Sequence, residues 1–313
     1  MCFRRPLLGL SFLFLAFASP FFNRSSNAQD QPQSATPKVK IDWVDGPVTA
    51  ALGDIAQIKV PGGYRFTGKE GTRKFLELTQ NPPSGSELGT IIPVVSSGSS
   101  DKENEFWFTI FEFSEVGYVK DDDRNNLDAD ALLKTLKENT EESNKERAAR
   151  GWAAYHITSW YKAPFYDIST KNLTWALQGY SADQGKQETS VNYSIRVLGR
   201  RGTMNVDLVL DPSLVNDAVP KFDSLLSGFS FLPGSTYSEF RPGDKVAKYG
   251  LATLVAGGAT AIAVKTGLLA KLWKLIVALI AGLIAFLKRV WNYFKRILAG
   301  KASDETQETP QQG

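Results

Sequence analysis

A run of acids is the densest cluster of chemically capable side chains in the sequence: Asp121, Asp122, Asp123, Asp128 and Asp130. Calcium prefers clustered oxygen ligands, and Asp121, Asp123 and Asn125 have the spacing of the first half of a calcium-binding loop. The second half departs from that pattern, because Asn126 stands where the loop needs Gly and Leu132 where it needs Glu. Asp121, Asp123 and Asn125 are therefore candidate metal ligands. The alternative is a solvated loop whose acids favour the N-terminus of the next helix.

Catalytic signatures are otherwise sparse. His156 is the single histidine and lies in an alternating segment typical of a strand, and no Gly-x-Ser-x-Gly motif accompanies it. Cys2 is the single cysteine, so the ligand types that zinc favours are scarce. Acid–base hydrolysis needs two carboxyl groups at a defined separation, for which Asp121, Asp123 or Asp167 are the candidates. The sequence assigns no catalytic residue and no cofactor, and a non-enzymatic role is favoured.

Charge divides the chain into two parts. Residues 29–248 carry 25 Lys and Arg against 30 Asp and Glu, a net charge of −5, whereas residues 249–301 carry eight cations and no acid. The first part has neither a phosphate-binding glycine loop nor a basic run with interleaved aromatics, which argues against nucleic-acid binding. Its aromatic residues are expected in the core, or alternatively on a binding face.

The elements that must position these residues can be read from periodicity. Apolar residues at helical spacing predict a helix over Leu127–Arg150, capped by Asn126 or Asp128, and a second helix over Val215–Leu226. The segment from Phe106 to Phe113 reads as a strand buried on both faces. Further strands are predicted over Ala154–Tyr161, Leu173–Tyr180, Ser190–Leu198, Thr203–Leu210 and Gly228–Phe231, with a hairpin turn at Gly199–Gly202. The fold class is α+β: a mostly antiparallel sheet with packed helices.

The basic C-terminal part predicts a membrane anchor. Leu275–Leu287 is an uninterrupted apolar run that reaches the length of a spanning helix when it is extended back to Gly267. The residues expected to anchor this helix at the two interfaces are Lys271, Trp273, Lys274, Lys288, Arg289 and Trp291. The cations after the span outnumber those near its start, so we expect residues 288–301 in the cytoplasm and the preceding domain outside. The Gly- and Ala-rich segment before the span either packs as a short helix or forms a second span.

The N-terminus has the pattern of a secretory signal peptide, with Arg4 and Arg5 before an apolar region over Leu7–Phe17. An uncleaved N-terminal anchor is the alternative. The predicted organisation is a signal peptide over 1–28, a linker over 29–40, an extracytoplasmic domain over 41–240, a juxtamembrane segment over 241–266, a transmembrane helix over 267–287 and a tail over 288–313. The domain cut as Gln29–Phe240 is expected to fold alone.

Several blocks resemble those of a bacterial family of uncharacterised membrane-anchored proteins that share one domain of unknown function. The blocks are Gly117–Asp123, Pro164–Asp167, Leu173–Ala176, Val191–Tyr193, Leu198–Gly202 and Asp244–Gly250. The resemblance covers about Asp45 to Leu287, implies a bacterial envelope location and supplies no catalytic residue. The pattern of Thr203–Phe231 is similar to the sandwich shared by the photosystem oxygen-evolving subunit family and Mog-type adaptors, which are mostly binding or assembly proteins.

Two function classes follow from the sequence. The first is a non-catalytic binding or assembly module, tethered to the cytoplasmic membrane with its domain on the periplasmic side. Its expected partners are the lipid bilayer and proteins of the envelope. The second is a hydrolase that acts on envelope material through carboxylates.

Overall fold

The computed structural model describes residues 39–94, 106–184 and 190–257, and all of these belong to one compact unit. The segments predicted as signal peptide, transmembrane helix and tail lie outside the described residues. Among the helices that are described, none is both long enough and apolar enough to cross a membrane.

An eight-stranded antiparallel sheet forms the centre of the domain, in the order β1-β4-β5-β6-β10-β9-β8-β7. Its strands are β1 (Val44–Asp45), β4 (Tyr64–Gly68), β5 (Glu87–Pro93), β6 (Trp107–Ser114), β7 (Tyr155–Asp167), β8 (Asn172–Ser181), β9 (Ser190–Leu198) and β10 (Thr203–Leu210). A second sheet has the order β11-β3-β2 and contains β2 (Val48–Leu52), β3 (Ala56–Val60) and β11 (Phe229–Phe231). The predicted α+β class with a mostly antiparallel sheet is confirmed.

One face of the large sheet packs on the small sheet and on helix α3 (Val215–Leu226). The alternate residues of β9 and β10 supply this core, because successive side chains of a strand point to opposite faces. Val191, Tyr193 and Ile195 meet Ile58 of β3 and Phe222 of α3 there. This apolar layer fixes the orientation of the large sheet.

The opposite face of the large sheet carries the remaining helices. Helix α1 (Lys69–Leu78) packs on β5 and β6, with Phe75 against Phe108 in an edge-to-face contact of 4.9 Å. Helices α2 (Ala129–Ala149) and α4 (Leu251–Ala256) cover Leu173, Trp175 and Leu177 of β8. Two separate apolar clusters therefore lie on this face, one under α1 and one under α2 and α4.

Local patterns predicted most of these elements. Ser190–Leu198, Thr203–Leu210 and Val215–Leu226 have the predicted bounds, and the turn between the first two joins a regular hairpin. The strand predicted over Phe106–Phe113 is β6, which runs from Trp107 to Ser114 and is buried on both faces, as predicted. Helix α2 begins after Asp128, whose side chain accepts a hydrogen bond from Ala131 N at 3.0 Å and confirms the proposed cap.

Candidate functional site

Asp123 caps a helix that is distant in the sequence. Its Oδ1 accepts a hydrogen bond from Leu251 N at 3.0 Å, and its Oδ2 accepts one from Ala252 N at 3.1 Å. These are unpaired N–H groups of the first turn of α4, where a carboxylate also interacts favourably with the helix dipole. Gly250 permits this approach, because a Cβ atom there would lie 2.6 Å from Asp123 Oδ1. Both oxygens of Asp123 are therefore used in holding α4.

Asp121 has different partners. Its Oδ2 accepts a hydrogen bond from the Tyr166 hydroxyl at 2.9 Å and lies 3.6 Å from Lys171 Nζ. Burial together with the Asp121 carboxylate raises the pKa of Tyr166. Asn125 is exposed, in the loop between Asp123 and the start of α2. Among the described residues, no three His, Cys, Asp or Glu side chains are arranged to hold a metal ion.

The other residues singled out by the sequence also have local partners. Asp167 accepts hydrogen bonds from Ser169 N at 2.8 Å and Ser169 Oγ at 2.6 Å in the β7–β8 turn, and these bonds lower its pKa. The Nδ1 atom of His156 lies 2.8 Å from Glu141 Oε1 of α2, and its ring lies against Tyr180. His156 therefore links β7 to α2, whereas Asp167 stabilises the turn that it begins.

The chain after β11 packs onto the loop that follows β6. Tyr118 N donates to Lys245 O, and Ala247 N donates to Tyr118 O, both at 2.8 Å. The Tyr118 ring stacks on the Tyr237 ring, with 4.4 Å between the ring centres, and its centre lies 4.3 Å from that of the Phe240 ring. Four of the sequence blocks that carry the family resemblance meet here: Gly117–Asp123, Pro164–Asp167, Leu198–Gly202 and Asp244–Gly250. We call this cluster the junction.

A bidentate ion pair closes the junction. Arg200 Nε and Nη2 donate to the two carboxylate oxygens of Asp244, each at 2.7 Å. The Arg200 bonds, with a further bond from Arg241 N, lower the pKa of Asp244 to about 2. Planar two-point pairing of this kind fixes geometry more strictly than a lysine contact. It holds the segment before α4 against the β9–β10 turn.

A strip of polar residues runs along the helix-facing side of the central strands, between the apolar clusters under α1 and α2. Its buried members include Glu112, Ser190, Asn192, Ser194 and Asp207. Asp207 accepts a hydrogen bond from Ser194 Oγ at 2.5 Å and one from Arg196 Nη1 at 3.1 Å. The Arg196 guanidinium also lies 4.7 Å from the centre of the Trp175 ring. Asp207, Ser194 and Arg196 thus form one hydrogen-bonded group inside the domain.

Glu112 is the most perturbed acid of this strip. Burial raises its pKa to about 8, the hydrogen bond from Ser84 Oγ opposes that shift, and the carboxylates of Asp207 and Glu87 add to it. Glu87 lies opposite Glu112 on β5 and accepts backbone hydrogen bonds from Ser84 and Gly85. A carboxyl group that titrates near neutral pH can act as a general acid or base.

Sequence reasoning missed this strip for a physical reason. In β9 the polar residues Ser190, Asn192, Ser194 and Arg196 alternate with apolar ones, a pattern that normally indicates one solvated face. Here Ser190, Asn192 and Ser194 are buried instead, and their partners are Tyr155 of β7 and Asp207 of β10. The available signal was Glu112 within the otherwise apolar run from Phe106 to Phe113.

A surface groove of about 510 Å³ lies elsewhere, along the outer side of α1. Its lining residues are Val39, Glu70, Arg73, Lys74, Glu77, Leu78 and Pro83. Neither the carboxylates proposed from the sequence, Asp121, Asp123 and Asp167, nor Glu112 contributes to it. The predicted membrane anchors, Lys271, Trp273, Lys274, Lys288, Arg289 and Trp291, lie outside the described residues.

Comparison with known proteins bears on the sequence blocks that meet at the junction. Residues 45–288 match a family model described as "Protein of unknown function (DUF2167)". The chain belongs to this family. The match confirms the resemblance to a family that shares a domain of unknown function, and no curated protein matches the chain.

The DUF2167 chain also shows a weak likeness to the solution structure of cyanobacterial PsbP (CyanoP) from Synechocystis sp. PCC 6803. The two are 13% identical, with a TM-score of 0.36, and the likeness covers 64% of this chain and 100% of the other. It agrees with the similarity that the pattern of Thr203–Phe231 indicated to the photosystem oxygen-evolving subunit family. At this TM-score it carries no argument about function.

Proposed function

We propose that this protein is a membrane-anchored extracytoplasmic module that binds or assembles envelope components without catalysing a reaction. The observation that carries the proposal is the use of Asp123, both of whose oxygens hold the first turn of α4. Asp121 and Asp167 are likewise engaged, by Tyr166 and by Ser169. The three carboxylates that the hydrolase hypothesis offered as candidates therefore have structural partners.

The position of α4 supports an anchoring role for the junction. Leu251, Leu254 and Val255 are buried against α2 and the sheet, and Asn139 Nδ2 of α2 donates to Ala256 O at 2.9 Å. The start of the Gly- and Ala-rich segment thus belongs to the folded domain, and the chain continues from it towards the span predicted over 267–287. In this proposal the junction connects the domain firmly to its own membrane anchor.

The orientation can be tested with enzyme reporters in the bacterium. A periplasmic-type alkaline phosphatase fused after Lys301 should be inactive, and the same reporter fused after Gly257, with the signal peptide intact, should be active. The second fusion is the matched control for export. An active phosphatase after Lys301 would contradict the predicted topology.

A hydrolase remains the second candidate, and Glu112 is the observation that favours it. Its pKa of about 8 and the adjacent Glu87 and Asp207 make it the strongest acid–base group among the described residues. Purified protein should nevertheless leave peptidoglycan and ester substrates unchanged. Turnover that the substitution Glu112→Gln abolished, while the variant kept its melting temperature, would establish the hydrolase instead.

A further inference from the structure

The junction exposes a surface that combines apolar and cationic side chains. Phe240 is 38% exposed and Val246 is 39% exposed. The ring of Phe240 contacts the ring of Tyr118, and the backbone of Val246 pairs with the backbone of Tyr118. Arg241, Lys245 and Lys248 are exposed on the same short segment. We call these five residues the basic face.

The acids beside the basic face have partners within the domain. Asp244 binds Arg200 through both oxygens, and Glu239 accepts bonds from Thr236 N, Thr236 Oγ1 and Gly234 N. Glu115 lies 3.9 Å from Arg201. Among the described residues, Arg241, Lys245 and Lys248 form no ion pair within 4.0 Å, although the Arg241 charge helps to lower the pKa of Asp244. Lys245 Nζ donates to the backbone oxygen of Glu115 at 3.1 Å.

The backbone of the basic face is held in place. Lys245 O and Ala247 N both bond Tyr118, and Arg241 N bonds Asp244 Oδ2 at 2.7 Å. Binding a surface would therefore require little ordering of the segment, which lowers the entropic cost of the interaction.

We propose that the basic face docks on anionic lipid headgroups, so that the domain rests on the membrane with its junction side. Exposed aromatic and aliphatic side chains beside cations are typical of surfaces that sit in the headgroup region. Each cation near an anionic bilayer should shift the docking equilibrium roughly fivefold. The proposal rests on the proposed membrane anchor and adds an orientation of the domain to it.

The length of the connecting chain fits this occupant. Lys248 stands two residues before Gly250, the N-cap of α4, and the described chain ends at Gly257. Residues 258–266 separate that point from the predicted span and reach about 30 Å when fully extended. The bilayer is therefore a surface that the basic face meets at high local concentration.

The test uses the full-length protein inserted in vesicles, either of phosphatidylcholine alone or with phosphatidylglycerol added. Hydrogen exchange of residues 237–248 should be several-fold slower in the anionic vesicles, and salt should reduce the difference. The double substitution Lys245→Gln and Lys248→Gln should abolish the protection. Lys69→Gln with Arg73→Gln removes the same charge from exposed positions on α1 and should preserve it.

Flotation of the vesicles separates this proposal from the anchor on which it rests. Protein that floats with both kinds of vesicle, but exchanges equally fast in both, overturns docking and leaves the anchor standing. Equal loss of protection in the two double variants also overturns the assignment to the basic face. Protein that floats with neither vesicle overturns the anchor and the docking together.

Discussion

Asp123 Oδ1 accepts the backbone N–H of Leu251 at 3.0 Å, so an acid in the loop after β6 caps a helix near the end of the folded domain. This contact gives the acidic run around Asp121 a structural role. In the calcium hypothesis Asp121 and Asp123 would bind the same cation; in the structure Asp121 accepts a hydrogen bond from Tyr166 and Asp123 accepts one from α4. The run thus divides into separate structural contacts.

Removing the segment after Phe240 should weaken the domain. A domain ending at Gly257 keeps α4 and the pairing of Tyr118 with Lys245 and Ala247, but one ending at Phe240 loses both and exposes Leu132 and Leu136 of α2. We expect residues 29–257 to unfold cooperatively in urea at a clearly higher midpoint than residues 29–240. Equal midpoints would show that α4 contributes nothing to the stability of the domain.

The substitution Gly250→Ala should displace the Asp123 carboxylate from the start of α4, because the new Cβ would meet it at 2.6–2.7 Å. Loss of a helix cap costs about 1 kcal/mol of free energy of unfolding. Gly62→Ala is the matched control, since a Cβ there meets nothing within 4 Å and should change stability by less than about 0.5 kcal/mol. Urea unfolding of residues 29–257 measures the free energy of unfolding of each variant. Equal losses in the two variants would contradict the capping role of Asp123.

The buried carboxyl group of Glu112 should make the domain less stable as pH rises. Its pKa is raised from 4.5 to about 8 on folding, so the folded state binds the proton more tightly than the unfolded state does. Its stabilising contribution is complete below pH 4.5 and is lost as pH rises towards 8. Within that window the loss approaches roughly 1.4 kcal/mol per pH unit.

The substitution Glu112→Gln removes this titration while keeping a similar shape. The free energy of unfolding of the variant should vary less between pH 5 and pH 8 than that of the parent, and the variant should be relatively more stable at the upper end. Glu115→Gln, at an exposed position nearby, is the control and should keep the parent's pH profile. Parallel profiles for parent and Glu112→Gln would show that Glu112 has no raised pKa.

The distribution of cations around the predicted span indicates which side of the membrane the tail occupies. If the chain crosses once, a cysteine introduced at Ser303 in a Cys2→Ser background should be shielded from membrane-impermeant thiol reagents added outside the cell. It should react only after the membrane is permeabilised. A cysteine at the exposed position Ser238 is the control for outside access. Labelling of position 303 in intact cells would favour two spans.

Local sequence determined the elements of this protein more fully than their mutual arrangement. Side-chain alternation and turn residues determine the hairpin of β9 and β10. The start of α2 depends on Asp128, which caps an N–H group three residues away. Each of these acts over a few residues, so it is visible in the sequence. Helix α1 and strands β1 to β5 carry weaker patterns, and they become clear only where the two sheets and α1 bury their apolar faces.

The sequence by itself determined the fold class, the division into an acidic part and a basic apolar part, and membership of a family that shares a domain of unknown function. Only the tertiary structure decided that Asp123 caps α4 and that Glu112, Ser194 and Asp207 are buried together. These contacts join residues far apart in the chain, and their burial depends on which helices cover the sheet. Periodicity reports which face of an element is polar. Whether that face meets water or another helix depends on how the whole domain packs.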